Sequence, residues 1–118
     1  MGTVTWHKSR EAHNYATYSF LNQQTPTYLD WEVVTIFYSA LHIIDAYFSK
    51  TSYSPPSDHS DRNHRIKSDP KLSVIRKPYL SLYTLSKSVR YCRDAAPSEI
   101  GSALADYNKI KGHLYSQI

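Results

Sequence analysis

The chain has 118 residues, of which 41% are hydrophobic and three are Gly, with a formal charge of +4. That length builds one domain with a sizeable core but not two, and the composition excludes a disordered chain. A single cysteine, Cys92, excludes an internal disulfide or a multi-cysteine zinc site, while the modest positive charge permits an acidic partner without requiring one.

From about Thr5 to Gln24 the pattern predicts a first helix with Trp6, His13, Ala16 and Phe20 on one side. Tyr15 and Tyr18 fall off that face. The opening MGTVTWHKSR lacks the apolar middle of a signal peptide, and Trp6 stands where an N-myristoylation signal needs Ser or Thr. Pro26 ends the helix nearby, and Thr27 with Asp30 forms a capping-box pattern for the next.

The second helix is predicted to run to about Ser52. It contains the longest apolar segment, WEVVTIFYSALHIIDAYFSK, from Trp31 to Lys50. At about 100° per residue, Val33, Ile36, Phe37, Ala40, Leu41, Ile43, Ile44, Tyr47 and Phe48 cover a broad arc. Tyr38, His42, Asp45 and Ser49 form a narrow polar stripe opposite, which either faces water or lines a shared pocket. Asp45 also interrupts the segment as a membrane span, so no membrane association is expected.

The stretch TSYSPPSDHSDRNHRIKSD is the one long break. Pro55-Pro56 cannot continue a helix, and Ser57 is placed to cap a short turn through Ile66. Asp69-Pro70 then has the cap-plus-proline pattern of a third helix, in which Leu72, Ile75, Tyr79, Leu82, Ser86 and Val89 recur at three-to-four spacing. Pro78 inside that pattern predicts a kink or two helices end to end. Ala95-Ala96-Pro97-Ser98 is the next break, and the last helix carries Ile100, Leu104, Tyr107, Ile110, Leu114 and Ile118 on one face. With no strand pair and no repeat, the expected fold is all-α. It is an up-down bundle of four main helices over residues 1–118, with a long central loop that has room for a short fifth helix.

Three groups of residues could carry chemistry. His42 and Asp45 are three apart on the polar stripe, with Tyr38 one turn earlier. They suit either an acid–base site or a hydrogen-bonded seam between helices. The loop Asp58-His59-Ser60-Asp61-Arg62-Asn63-His64-Arg65 packs ionisable groups at a density typical of a solvated turn. Arg forks and near-neutral His groups there also suit phosphate chemistry. His59, His64 and the carboxylates are legitimate zinc ligands, but no HExxH or Cys pair supports a metal site, and no cofactor is expected. Tyr83, Lys87 and Arg90 share a face of the third helix as a basic, aromatic patch for single-stranded nucleic acid. A helix C-terminus favours cations in any case. His7, His13 and His113 have no evident partners and read as structural or surface residues.

Taken together, FYSALHIIDAYF, then PPSDHSDRN, then YLSLYTLSKSVRY resemble a small stand-alone domain of the HEPN superfamily, over roughly Trp31 to Tyr91. The resemblance implies a four- to five-helix bundle, often a homodimer, linked to RNA cleavage or binding in defence and toxin–antitoxin systems; a cytoplasmic location is expected from the lack of a signal-peptide or membrane-span pattern. Some members pair with a nucleotidyltransferase acting as antitoxin. Catalytic members cut RNA without metal, using an Arg, a polar follower and a His beyond four to six intervening residues. Arg62-Asn63 supplies the first two, but Lys67, Ser68 and Asp69 occupy the positions for that His, and His64 is too close. Two readings follow. Either the site is rearranged, with Arg62 and Asn63 at the phosphate, His59 and His42 as acid and base, and Tyr38, Asp45 and His64 supporting this catalytic set. Or the domain is a non-catalytic relative that binds RNA, nucleotide or a protein, with Arg65, Tyr83, Lys87 and Arg90 as nucleic-acid contacts.

Overall fold

The computed structural model describes residues 2–51 and 54–118. Five helices follow in order: α1 (Val4–Leu21), α2 (Leu29–Thr51), α3 (His59–Ser68), α4 (Ser73–Tyr91) and α5 (Pro97–Leu114). A 3-10 turn, Pro70–Leu72, leads into α4, and another, Tyr115–Gln117, follows α5. There is no strand among the described residues, and no helix there is long and apolar enough to cross a membrane.

The central helix is α2, packed against α1, α4 and α5. Its apolar arc is buried throughout: Val33, Ile36, Phe37, Ala40 and Ile44 have no exposed surface at all. Into this arc fit Leu72, Ile75, Tyr79 and Leu82 from the 3-10 turn and α4, and Ala103, Tyr107, Ile110 and Leu114 from α5. All six α4-side positions predicted to face inward are buried, Ser86 included. Burying most of the circumference of one helix makes it the axle of the bundle, and it fixes which way the polar stripe points.

Several local expectations need correction. On α1 the buried residues are His7, Glu11 and Tyr18, whereas Trp6, His13, Ala16 and Phe20 are exposed. The reason is chemical: the Tyr107 hydroxyl donates to Glu11 Oε2, and Lys111 Nζ reaches the same oxygen at 3.4 Å. A carboxylate with such partners can occupy a buried position that hydropathy assigns to an apolar residue. The first carbonyl of α2 to accept a helical bond is that of Tyr28, from Glu32 N–H, so the helix starts one residue beyond the predicted Thr27 cap. Its end, predicted near Ser52, lies outside the described residues.

The short fifth helix is α3, and its cap is Asp58, whose Oδ1 accepts from Asp61 N–H at 2.8 Å. Ser57, the predicted cap, instead donates its N–H to Asp61 Oδ2. Asp69 caps the 3-10 turn through Lys71 N–H, with Pro70 at its first position, and α4 runs unbroken through Pro78. Pro78 sits in the second turn of α4, so the carbonyl that loses its helical donor is that of Val74, an exposed residue.

Candidate functional site

Between α1, α2 and α3 lies a pocket of about 930 Å³, lined by Trp6, His7, Tyr38, Leu41, His42, Asp45, Pro55, Pro56, Asp58, His59 and Arg62, with Gly2 and Thr3 at its edge. This is the size range of small-molecule sites. The polar stripe of α2 therefore lines a shared pocket: Tyr38, His42 and Asp45 form one wall, and Ser49 donates to the Gly2 carbonyl at 3.0 Å.

The second wall comes from α3. His59, Arg62 and Ile66 recur at three-to-four spacing, and this face turns inward, with Arg62 and Ile66 buried. Arg62 makes a two-pronged bridge to Asp45, Nε to Oδ1 at 2.7 Å and Nη2 to Oδ2 at 2.9 Å. Its Nη1 meets His59 Nδ1 at 3.3 Å. A guanidinium has no acceptor, so His59 Nδ1 carries the lone pair and Nε2 carries the proton. Burial opposes the Arg62 charge, but the hydrogen bonds and charge of Asp45 outweigh it and hold its pKa above the ordinary value.

The third wall is α1, which brings His7 to His42 with Nδ1 to Nδ1 at 2.9 Å. The rings of His7 and Trp6 lie 5.2 and 5.4 Å from that of His42. A Cβ on Gly2 would collide with the Trp6 ring and approach His7 Nε2 to 2.8 Å, so this close approach requires glycine. His7 is thus the site residue that sequence reasoning missed. The face predicted to turn inward carries His13 instead, and the partner of His7 stands 35 residues away.

All three histidines are held below the ordinary imidazole pKa of 6.5, chiefly by burial. For His42 burial and then the neighbouring His7 bring the value to about 4, with Asp45 opposing. For His59 the charges of Arg62 and Arg90 add to burial. The pocket therefore presents neutral imidazoles near pH 7. Behind Arg62, burial pushes the Tyr79 hydroxyl well above its usual range, with the Arg62 charge opposing.

The α4 patch adjoins this pocket. Arg90 Nη1 donates to the Tyr38 hydroxyl at 3.2 Å, and Tyr83 packs against His59 with ring centres 5.5 Å apart. Lys87 Nζ lies 6.0 Å above the Tyr83 ring. So His42, His59, Arg62, Tyr38 and Asp45 come together, with Tyr83, Lys87 and Arg90 alongside. Asn63 and His64 do not line the pocket. Asn63 Oδ1 is buried with no hydrogen-bond partner among the described residues, and His64 is exposed.

Arg65 is engaged within the loop. It pairs with Asp61 at 3.1 Å and donates to the Ser54 carbonyl at 2.8 Å and the Pro55 carbonyl at 3.2 Å. It braces the Pro55-Pro56 wall, and its guanidinium is not free to take a nucleic-acid phosphate. Among the described residues no cluster of three or more His, Cys, Asp or Glu could hold a metal ion.

No family model matches the chain, and no curated protein or solved structure does either.

Proposed function

We propose that this is a HEPN-like, RNA-associated protein that cuts RNA without a metal, acting in the cytoplasm within a toxin–antitoxin or defence system. A homodimer and an antitoxin or nucleotidyltransferase partner belong to the same reading, which rests on the residue pattern quoted above. The observation that carries the chemistry is that His42 of α2 and His59 of α3 line one pocket beside a fixed Arg62.

General acid–base cleavage needs only two such groups. One imidazole takes the proton of a ribose 2′-hydroxyl as that oxygen attacks phosphorus. The bond to the 5′ oxygen breaks, and the second group delivers a proton to the leaving oxygen, which gives a 2′,3′-cyclic phosphate and a free 5′-hydroxyl. His42 suits the base, and His59 the acid once a second proton, at Nδ1 in place of the Arg62 contact, makes it a cation. Arg62 has its Nε and Nη2 on Asp45 and its Nη1 beside His59, so it positions His59 and does not clamp phosphate. Arg10 and Arg90, close enough to lower the His42 and His59 pKa values respectively, are the cations left for phosphate.

The base must be neutral and the acid a cation. With His42 at about 4 and His59 held below its ordinary value, activity is expected to rise above about pH 4 as His42 becomes neutral and to be lost toward neutral pH as His59 gives up its proton. Total RNA incubated in EDTA across that range tests this, with loss of about 10²-fold or more in His42→Ala and His59→Ala. Intact RNA at high protein concentration rejects the enzyme. The full engagement of Arg62 favours a second reading, a non-catalytic module whose pocket binds RNA, nucleotide or a protein. It is distinguished by RNA retained uncut and by a stable complex with a neighbouring gene product.

A further inference from the structure

We propose that His7 is a positioning residue for His42, accepting a hydrogen bond from His42 Nδ1–H so that His42 Nε2 is left as the free base of the pocket. This rests on the reading of His42 as the base of RNA cleavage.

Two imidazole nitrogens 2.9 Å apart hold one proton between them, since two lone pairs or two N–H groups at that distance repel. One ring is therefore the donor at Nδ1 and the other the acceptor. If His42 donates, its remaining nitrogen, Nε2, is a lone pair and can take a proton from substrate. If His7 donates, His42 Nε2 is already protonated and His42 is no base. Only the first arrangement leaves a base in the pocket that His42 shares with His59, because the Arg62 contact has already made His59 a donor at Nε2.

His7 then acts as the carboxylate does in a Ser-His-Asp triad, fixing the tautomer and the ring plane of the base. It does so without a negative charge, so it orients His42 without raising its basicity strongly. When His42 Nε2 takes a proton, the Nδ1–H to Nδ1 bond survives and the cation is shared by the pair. A second proton has no place, because both Nδ1 atoms would then carry hydrogen. The groups facing the pair are Arg10 from its own helix α1, Asp45 from α2 and Arg62 from α3. Asp45 favours a proton on the pair and the two cations oppose it, with burial the larger influence, and the one-proton rule comes from the contact itself.

The docking of α1 supplies the rigidity that positioning needs. His7 is 6% exposed, Trp6 packs edge-on against both rings, and Gly2 is tied through its carbonyl to Ser49. The pair is thereby held by neighbours on both helices.

Long-range nitrogen–proton NMR correlation on histidine-labelled protein at neutral pH reads the tautomers directly. His42 is expected in the Nδ1–H form in the unaltered chain, to lose it in His7→Phe, and to regain it in His7→Asn, whose amide oxygen can accept. In parallel, kcat for RNA cleavage is expected to fall about 10²-fold in His7→Phe with KM unchanged, and to recover at least tenfold in His7→Asn. A Nε2–H tautomer at His42 in the unaltered chain overturns the proposal, as does a His7→Phe protein with unchanged kcat. Because the tautomer is read without substrate, RNA left uncut by the unaltered chain rejects the cleavage reading alone.

Discussion

Asp45 and Arg62 show how much of this site depends on a single buried pair. Both are 8% exposed, and their two hydrogen bonds join the middle of α2 to the first turn of α3. Two desolvated charges roughly cancel the cost of their burial by mutual attraction, so the pair as a whole adds little to stability. Removing one partner is different, because the other charge is left buried and unpaired. Asp45→Ala and Arg62→Met are each expected to lower unfolding stability by about 3–5 kcal/mol, whereas the double change Asp45→Leu/Arg62→Met stays within about 1 kcal/mol of the parent. Urea unfolding of the three proteins checks this. A double variant as weak as the single ones means that the pair sets helix geometry as well as balancing charge. If the double variant folds, it also separates scaffold from chemistry: His59 loses the donor that sets its tautomer while the bundle stands.

At the scale of the element, α1 is held by polar contacts at positions where α4 and α5 use aliphatic ones, and this makes its docking sensitive to acid. His7, His42 and His59 all have folded pKa values below the unfolded 6.5, His42 at about 4. Between those limits the unfolded chain binds more protons than the folded one, so stability is whole above pH 6.5 and declines as pH falls toward about 4. Each histidine contributes at most about 1.4 kcal/mol per pH unit, less where solvent reaches the ring. Carboxylates such as Glu99, which the Arg93 contact and the Ala96 N–H hold at about 2, give way only below that window. A melting temperature lowered by several degrees across the window is expected, with a shallower decline in His42→Leu; a flat profile means that the histidines do not govern docking. The same feature explains what the sequence concealed. The inward faces of α2, α4 and α5 are legible because Val, Ile, Leu and Tyr recur there at helical spacing. Glu11 and His7 break that rule, since their burial depends on Tyr107 and His42, residues that only the fold brings near. The stripe Tyr38, His42 and Asp45 was legible from spacing, and His59 with Arg62 from their density in one loop. Asp58 as the cap was not, because Ser57 beside it has the same capping chemistry.

Over the whole molecule, charge decides how a strand of RNA would arrive. The net charge of +4 is too small for strong nonspecific attraction, so what matters is where the unpaired cations stand. Among the described residues, four cationic side chains are bridged to carboxylates: Arg62, Arg65, Arg93 and Lys111. Arg10, Lys87 and Arg90 make no such bridge among the described residues, and all three stand near the pocket. Arg10 lies over the Trp6 ring, Arg90 lies between the Tyr38 and Tyr91 rings, and Lys87 lies over Tyr83. Tyr91 is 74% exposed, which leaves a ring face for a base to stack on beside a cation. Three phosphate contacts predict a slope of about −2 for log affinity against log salt on a single strand, because each neutralised phosphate releases about 0.7 of a counterion. Lys87→Ala/Arg90→Ala is expected to reduce that slope by about 1.4, leaving the contribution of Arg10, whereas Arg65→Ala changes it little because Asp61 already neutralises that side chain. Fluorescence anisotropy of a labelled oligoribonucleotide across a salt series measures all three. Binding that ignores salt, or a slope untouched by the double change, places the RNA contact elsewhere on the molecule and detaches the α4 patch from the pocket it adjoins.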